Sequence, residues 1–590
     1  MSFFDGLEMI GGLALFLYGM HVLGDGLAKV SGGKLEKILE KLTSNPVMAV
    51  LVGAGVTAII QSSSATTVMV VGFVNSGIMK LQQTVGIIIG ANVGTTITAW
   101  LLSMSVIESG SFIIQLFKPS SFSPILAIIG VCIISFSKKE KKKDVALILV
   151  GFAVLMIGMD IMSGAVSALR DVPEFTQILT MFSNPILGLL AGLVLTAVIQ
   201  SSSASVGILQ ALCSTGAVSF ATAIPVIMGQ NIGTCVTALI SSVGTSKDAR
   251  RAALIHLYYN ILKTSSFMIV FYAIDSVVDF AFMETSISAL GVAVVHSLFN
   301  IAACIVLLPF SKLLVRLVYI TIPEGSVAEQ VLSAEEQELK SLDVRFLDKP
   351  GYALDRCKHV AVTMAGLAKK SMELAMGLVY SYDKNVAKEV IRLEGLVDKY
   401  EDELGSYLVK LSSKDLTEEE SQNLSVLLHS IGDFERISDH ALNIKEAADE
   451  MHDKELEFSD KATEELQVFS SAVKEIMNLS FQVFEKEDTQ MAMFVEPLEE
   501  VIDQLNVDVK KRHIKRLRKG KCTIELGFIL SDITTNFERV SDHCSNLAVS
   551  LLQKGVDEFE AHEFMGALKR EDNVEFQGRV MTYRKKYRLP

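Results

Sequence analysis

Adding 139 to the residue numbers of one apolar stretch lands on a second copy of it. "TAIIQSSSA" from Thr57 returns as "TAVIQSSSA" from Thr196, and "GANVGTTITA" from Gly90 returns as "GQNIGTCVTA" from Gly229. "LTSNP" ending at Pro46 has its partner in "FSNP" ending at Pro185, and no gap is needed between the copies. A chain with this regularity folds as two related units that complete one another. Charge confines the duplication to one half. Residues 1–310 hold 16 Lys/Arg and 15 Asp/Glu; the remaining 280 residues hold 38 and 52. The first half therefore reads as membrane-embedded and the second as a charged, soluble helical region.

The two copies differ in flanking charge. Lys34, Lys37 and Lys41 follow the first helix, whereas Arg170 lies among acidic residues in the matching loop. Glu108 and Lys118 fall in a loop whose counterpart carries Lys247, Arg250 and Arg251. "SKKEKKKD" (137–144) precedes the second copy, and no Lys or Arg precedes the first. Basic loops favour the cytoplasm, so the alternation predicts inverted repeats, with a helix near 122–137 as the odd crossing. Two more spans are expected near 252–274 and 288–310. The acidic start of the first apolar run, at Asp5 and Glu8, argues for a transmembrane helix over a cleaved signal. The seven cysteines form no C-x-x-C pair and read as small core residues.

The apolar run from Pro46 to Ser76 carries Gln61, Ser62, Ser63 and Ser64 at its middle, and the second copy carries Gln200, Ser201, Ser202 and Ser203. Consecutive residues on a regular helix point about 100° apart, so three serines share one face only where the helix is interrupted. The spacing predicts a broken helix or a re-entrant hairpin, with hydroxyls and free backbone N–H groups converging on an anion. Asn92 with Thr95, and Asn231 with Thr234, lie in G-x-N-x-G-T, where glycines permit a break and Asn or Thr can cap the next helix. Their oxygens, with those of Thr66 and Ser205, also suit a hard monovalent cation. The alternative is ordinary polar packing between membrane helices. Asp160, aligned with His21, is a weaker candidate.

In the second half "DFERISDHALNI" (433–444) returns as "NFERVSDHCSNL" (536–547), and "EGLVD" (394–398) has its counterpart in "EEVID" (499–503). Each contains E-x-x-x-D, which sets two carboxylates on one helix face. Glu394, Asp398, Glu435, Asp439, Glu499, Asp503, Glu538 and Asp542 are therefore candidate metal ligands, against the alternative of a solvated acidic face. Arg436 and Arg539 adjoin them and offer another way to neutralise the charge; His440 and His543 are weaker candidates. The basic runs at 510–521 and at the C-terminus read as solvated loops or as contacts with anionic lipid. Nucleic-acid binding is not expected, and no enzyme signature is present.

The doubled QSSS with G-x-N-x-G-T, over residues 10–310, resembles the type II sodium–phosphate cotransporters and their bacterial relatives. That resemblance implies sodium-coupled transport of inorganic phosphate, with the two QSSS segments at the substrate site. Residues 350–555 resemble the PhoU family, which implies two similar three-helix bundles whose E-x-x-x-D motifs bind divalent or iron-type metal and regulate phosphate uptake. The expected architecture is all-α. A transmembrane domain over 1–311, with repeats at about 10–100 and 149–239, precedes a linker at 312–345. A PhoU-like domain at 346–575 and a basic tail at 576–590 follow. The expected setting is the inner, cytoplasmic membrane, with the C-terminal domain in the cytoplasm and with phosphate, sodium, lipid and a homodimer partner as its contacts. The rival readings are a metal-responsive signalling protein with a membrane anchor, and a carrier of another oxyanion.

Overall fold

The computed structural model describes residues 3–31, 34–41, 45–104, 119–137, 139–167, 180–323, 338–552 and 574–590. Glu108, Lys118, Arg170 and the loop around Pro173 lie outside the described residues. The chain forms two compact units, Met1–Leu332 with Asp343–Tyr352, and Ser333–Leu342 with Ala353–Pro590. Both are helical, as expected, and among the described residues six helices are long and apolar enough to cross a membrane.

The 139-residue offset persists in the helices of the first unit. Pro46–Ile60 matches Pro185–Ile199, and Ser63–Asn75 matches Ser202–Cys213. Leu81–Gly94 and Thr96–Ser103 match Phe220–Gly233 and Cys235–Ser241. Asn45 and Asn184 cap the first helix of each set, each side chain accepting from two backbone N–H groups, with proline at the first helical position. Phe3–Ser31 packs along Glu140–Ser167, its own counterpart. Outside the repeats, Pro119–Phe136 forms the helix expected near 122–137 and packs along Glu140–Ser167, and Lys247–Val278, Ala289–Leu307 and the short Ser311–Thr321 follow the second copy. Val198, Val277 and Ile305 are strongly exposed, as lipid-facing residues are.

Small residues set the spacing within each copy. A Cβ at Gly90 would stand 2.1 Å from the Val50 carbonyl oxygen, and one at Gly229 would stand 1.9 Å from that of Leu189. These glycines serve close helix approach, the usual means of packing where the surroundings are apolar. Gly90→Ala and Gly229→Ala should each destabilise the membrane unit by about 1–3 kcal/mol through overpacking. Gly55→Ala, where a Cβ would meet nothing within 4 Å, should be near neutral. Unfolding of the purified protein in detergent checks all three.

The segment Asp343–Tyr352 belongs to this unit. Phe346 is fully buried between Phe73 and Tyr352, with ring centroids 5.2 and 5.0 Å away. Asn75 donates to Asp343 at 2.7 Å and accepts from the Ser246 backbone N–H at 2.8 Å.

The second unit holds two three-helix sets. The first is Pro350–Leu378, from Ala353 onward, with Lys384–Ser412 and Glu418–Asp453; the second is Asp460–Lys486, Val495–Arg518 and Ile524–Leu552. Glu418–Asp453 begins with a Thr417–Glu420 capping box and packs along Ile524–Leu552. Phe434 and its counterpart Phe537 are buried cores of the two sets. The sets are tied reciprocally: His440 Nδ1 lies 2.7 Å from Asn536 Oδ1, and His543 Nδ1 lies 2.8 Å from Asp433 Oδ1. The basic run is partly used inside the fold, since Arg512 and Arg516 reach buried Glu465 at 3.3 and 2.8 Å. The C-terminal residues form a helix, Val574–Lys586, that buries Phe576 and Val580.

Candidate functional site

Each QSSS segment is a helix break built by the same two devices. Pro46–Ile60 stops at Gln61, whose backbone is left-handed at φ 59° and ψ 23°; Pro185–Ile199 stops at Gln200, at φ 58° and ψ 20°. A left-handed residue ends a helix, and a position held by Gln and not by Gly or Asn is costly and points to a side-chain role. The next residue is extended and caps the following helix. Ser62 Oγ accepts from the Ala65 N–H at 3.1 Å, and Ser201 Oγ accepts from Ala204 at 3.2 Å. Ser63, Ser64, Ser202 and Ser203 then form the first turns of the new helices, whose leading N–H groups lack partners within the helix. These hydroxyls and amides, at the positive end of a helix dipole, are complementary to an anion.

The copies differ in what surrounds them. Gln61 is buried and its Oε1 accepts from Thr98 Oγ1 at 2.9 Å; Gln200 is exposed, and Thr237, the counterpart of Thr98, donates to the Thr234 carbonyl instead. Thr57 donates to Thr66 at 3.0 Å, and Thr66 donates to the Ser62 carbonyl. The matching Thr196 and Ser205 hydroxyls are buried with no hydrogen-bond partner among the described residues.

The G-x-N-x-G-T segments behave differently from the capped break expected of them. Thr95 and Thr234 keep helical backbone and cap nothing. Their hydroxyls donate to the Ala91 and Gln230 carbonyls at 3.0 and 2.9 Å. The glycines are spent on close packing, so Leu81–Ser103 and Phe220–Ser241 run on as single spans. Asn92 and Asn231 are buried and meet at Lys263, which the sequence reading passed over. A lysine in an otherwise apolar span is itself a functional signal, and that signal was available.

In the second unit the carboxylates fall into two trios, Glu394 with Asp398 and Asp439, and Glu499 with Asp503 and Asp542; within each, one oxygen per residue lies within 4.8 Å of the others. Glu435 borders the first trio. Burial, then the Asp439 charge, pushes its pKa up to about 7, and burial with neighbouring carboxylates raises Glu394 and Asp398 as well. Glu538 is in neither trio, and Asp542 also meets Arg539 at 3.4 Å. His440 and His543 are engaged across the paired helices.

Two broken helices of the same build, set in a repeat-built unit with membrane-length helices, describe a helical membrane protein, here joined to a second helical unit. Residues 15–164 and 170–296 match the Na+/Pi-cotransporter family, and residues 361–448 and 466–551 match the PhoU domain. The membrane unit is therefore similar to Na+/Pi cotransporters, and the C-terminal half is similar to PhoU domains. It is 24% identical to the "Putative inorganic phosphate export protein YjbB" of Salmonella typhimurium, over 95% of this chain and 99% of that one. The "Uncharacterized protein YqeW" of Bacillus subtilis is 28% identical over 53% of this chain and 96% of its own. The human "Sodium-dependent phosphate transport protein 2B" is 35% identical over 20% of this chain and 18% of its own. The family is one of phosphate transporters, not enzymes, as expected.

Proposed function

We propose that the chain is a sodium-coupled secondary transporter of inorganic phosphate in the cytoplasmic membrane, with phosphate held between the two QSSS breaks. The observation that carries this reading is the twin break itself: two left-handed glutamines, each followed by a serine cap and a first turn of serines. Neutral donors and helix N-termini suit an anion that must be released again. The buried Gln61 and exposed Gln200 fit a carrier closed at one repeat and open at the other. Thr66 and Ser205 offer hydroxyl oxygens for sodium beside the breaks, and Thr95 and Thr234 shape the supporting helices. The name of the Salmonella relative, whose whole length this chain covers, favours export as the net direction.

The repeats are read as inverted, with the PhoU pair in the cytoplasm as a metal-responsive regulator. An engineered Cys near Lys34 and one near Lys247 should both be shielded from an impermeant thiol reagent in intact cells, and one near Pro173 should react. Labelling at 173 only after lysis would overturn the inversion.

Binding tests the substrate. Purified protein should retain labelled phosphate in sodium and lose it in choline, and excess sulfate should not compete. Competition by sulfate would assign another oxyanion, and no retention in either salt would reject the transport reading.

A further inference from the structure

Lys263 is 2% exposed, at the middle of the helix Lys247–Val278. An ammonium has three N–H donors, and here all three are taken by carboxamide oxygens. Nζ lies 3.1 Å from Asn92 Oδ1, 3.0 Å from Asn231 Oδ1 and 2.9 Å from Asn300 Oδ1. The orientation of each amide is held from behind. Asn92, Asn231 and Asn300 donate Nδ2 to the carbonyls of Ile88, Ile227 and His296, each four residues earlier on the same helix. All three oxygens are thereby turned toward the centre. The Tyr259 and Phe299 rings stand 5.1 and 5.0 Å from Nζ, adding aromatic faces of the kind cations favour.

Asn92 and Asn231 are the same position in the two repeats, whereas Lys263 and Asn300 come from the helices outside them. The helix that carries Asn92 also carries Thr98, about 9 Å further on at 1.5 Å per residue, and Thr98 holds Gln61 of the first break. The ammonium thus joins both repeats through neutral dipoles.

The geometry points to Lys263 as a tethered cation: its ammonium occupies a three-oxygen monovalent-cation position between the repeats and supplies there a charge that a free ion would otherwise bring. Any sodium coupled to phosphate movement then binds at other oxygens. The reach to phosphate rests on the transport reading above; the occupancy of the asparagine position does not.

Removing the lysine should turn the position into a site for a free cation, and a small alkylammonium identifies it because it is a poor substitute for sodium elsewhere. In reconstituted Lys263→Ala, phosphate flux should fall about tenfold or more, the range of a lost hydrogen bond to a charged group. Added methylammonium should restore flux saturably and raise the melting temperature of the detergent-purified variant. Choline should do neither, and wild type should respond to neither. If Lys263→Ala does not fold without additive, the recovered monodisperse fraction in methylammonium against choline becomes the readout, and equal recovery overturns the assignment. Full flux in Lys263→Ala also overturns it, as does a methylammonium response that is absent or shared by wild type. A methylammonium-dependent melting shift with no phosphate flux in wild type would keep the lysine assignment and reject the transport reading.

Discussion

Gln61→Ala and Gln200→Ala should each lower labelled-phosphate flux by roughly 10- to 100-fold, the factor expected when a hydrogen bond to a charged ligand worth about 1.5–3 kcal/mol is lost. The two residues share a left-handed backbone and a place directly before a serine cap; the Gln61 amide also donates Nε2 to the Ala58 carbonyl of the helix it ends. They differ in surroundings, since Gln61 is buried against Thr98 and Gln200 is exposed. A carrier that alternates needs both, which is why the losses should be comparable despite that difference. Backbone strain is separable from side-chain chemistry. Glycine adopts the left-handed conformation without a Cβ penalty, so Gln200→Gly, where the side chain is exposed, should keep its melting temperature and still lose flux. Near-normal flux in both alanine variants would reduce the motif to helix capping and packing.

The carboxylate trios lead to the second large effect. Glu435, Glu394 and Asp398 have folded pKa values raised above their ordinary ones, by burial first and by neighbouring carboxylates after it. An acid whose folded pKa is raised binds more protons folded than unfolded, so its contribution is present below the ordinary carboxylate range. It is lost as pH rises, for Glu435 through about 7. Metal-free protein should therefore lose stability in the C-terminal unit over that interval. A divalent or iron-type cation held by Glu394, Asp398 and Asp439, with its counterpart at Glu499, Asp503 and Asp542, would supply the missing positive charge. Bound at 100 times its Kd, it raises stability by about 2.7 kcal/mol. Asp439→Asn with Asp542→Asn should stabilise the metal-free protein at neutral pH, remove the metal-dependent rise in melting temperature, and leave phosphate retention intact. Thermal unfolding against manganese, magnesium and ferrous iron checks this. No shift in wild type with any of them would make the trios a solvated acidic face.

Much of this was legible from residue spacing. The offset of 139 places four pairs of helices with matching starts, and the QSSS break appears where three adjacent serines could not share a helical face. The reading went astray where one residue type serves two purposes. The glycines of G-x-N-x-G-T allow either a break or a close approach, and only the Val50 and Leu189 carbonyls beside them decide for approach. The centre at Lys263 was not legible as a constellation, because its four members lie on four helices and two of these fall outside the repeats. Glu538 shares its motif with Asp542 but not its trio, since a helical i,i+4 pair fixes a common face and not a common partner. Likewise Arg512 and Arg516 look like a surface run until Glu465 is found beneath them.

Reconstituted protein loaded with labelled phosphate gives the most direct test of transport between the two breaks. Phosphate should move across the vesicle membrane when a sodium gradient is imposed, stop when choline replaces sodium, and slow in both Gln61→Ala and Gln200→Ala. Flux indifferent to sodium would contradict the coupling, and no flux under any gradient would contradict the transporter account itself.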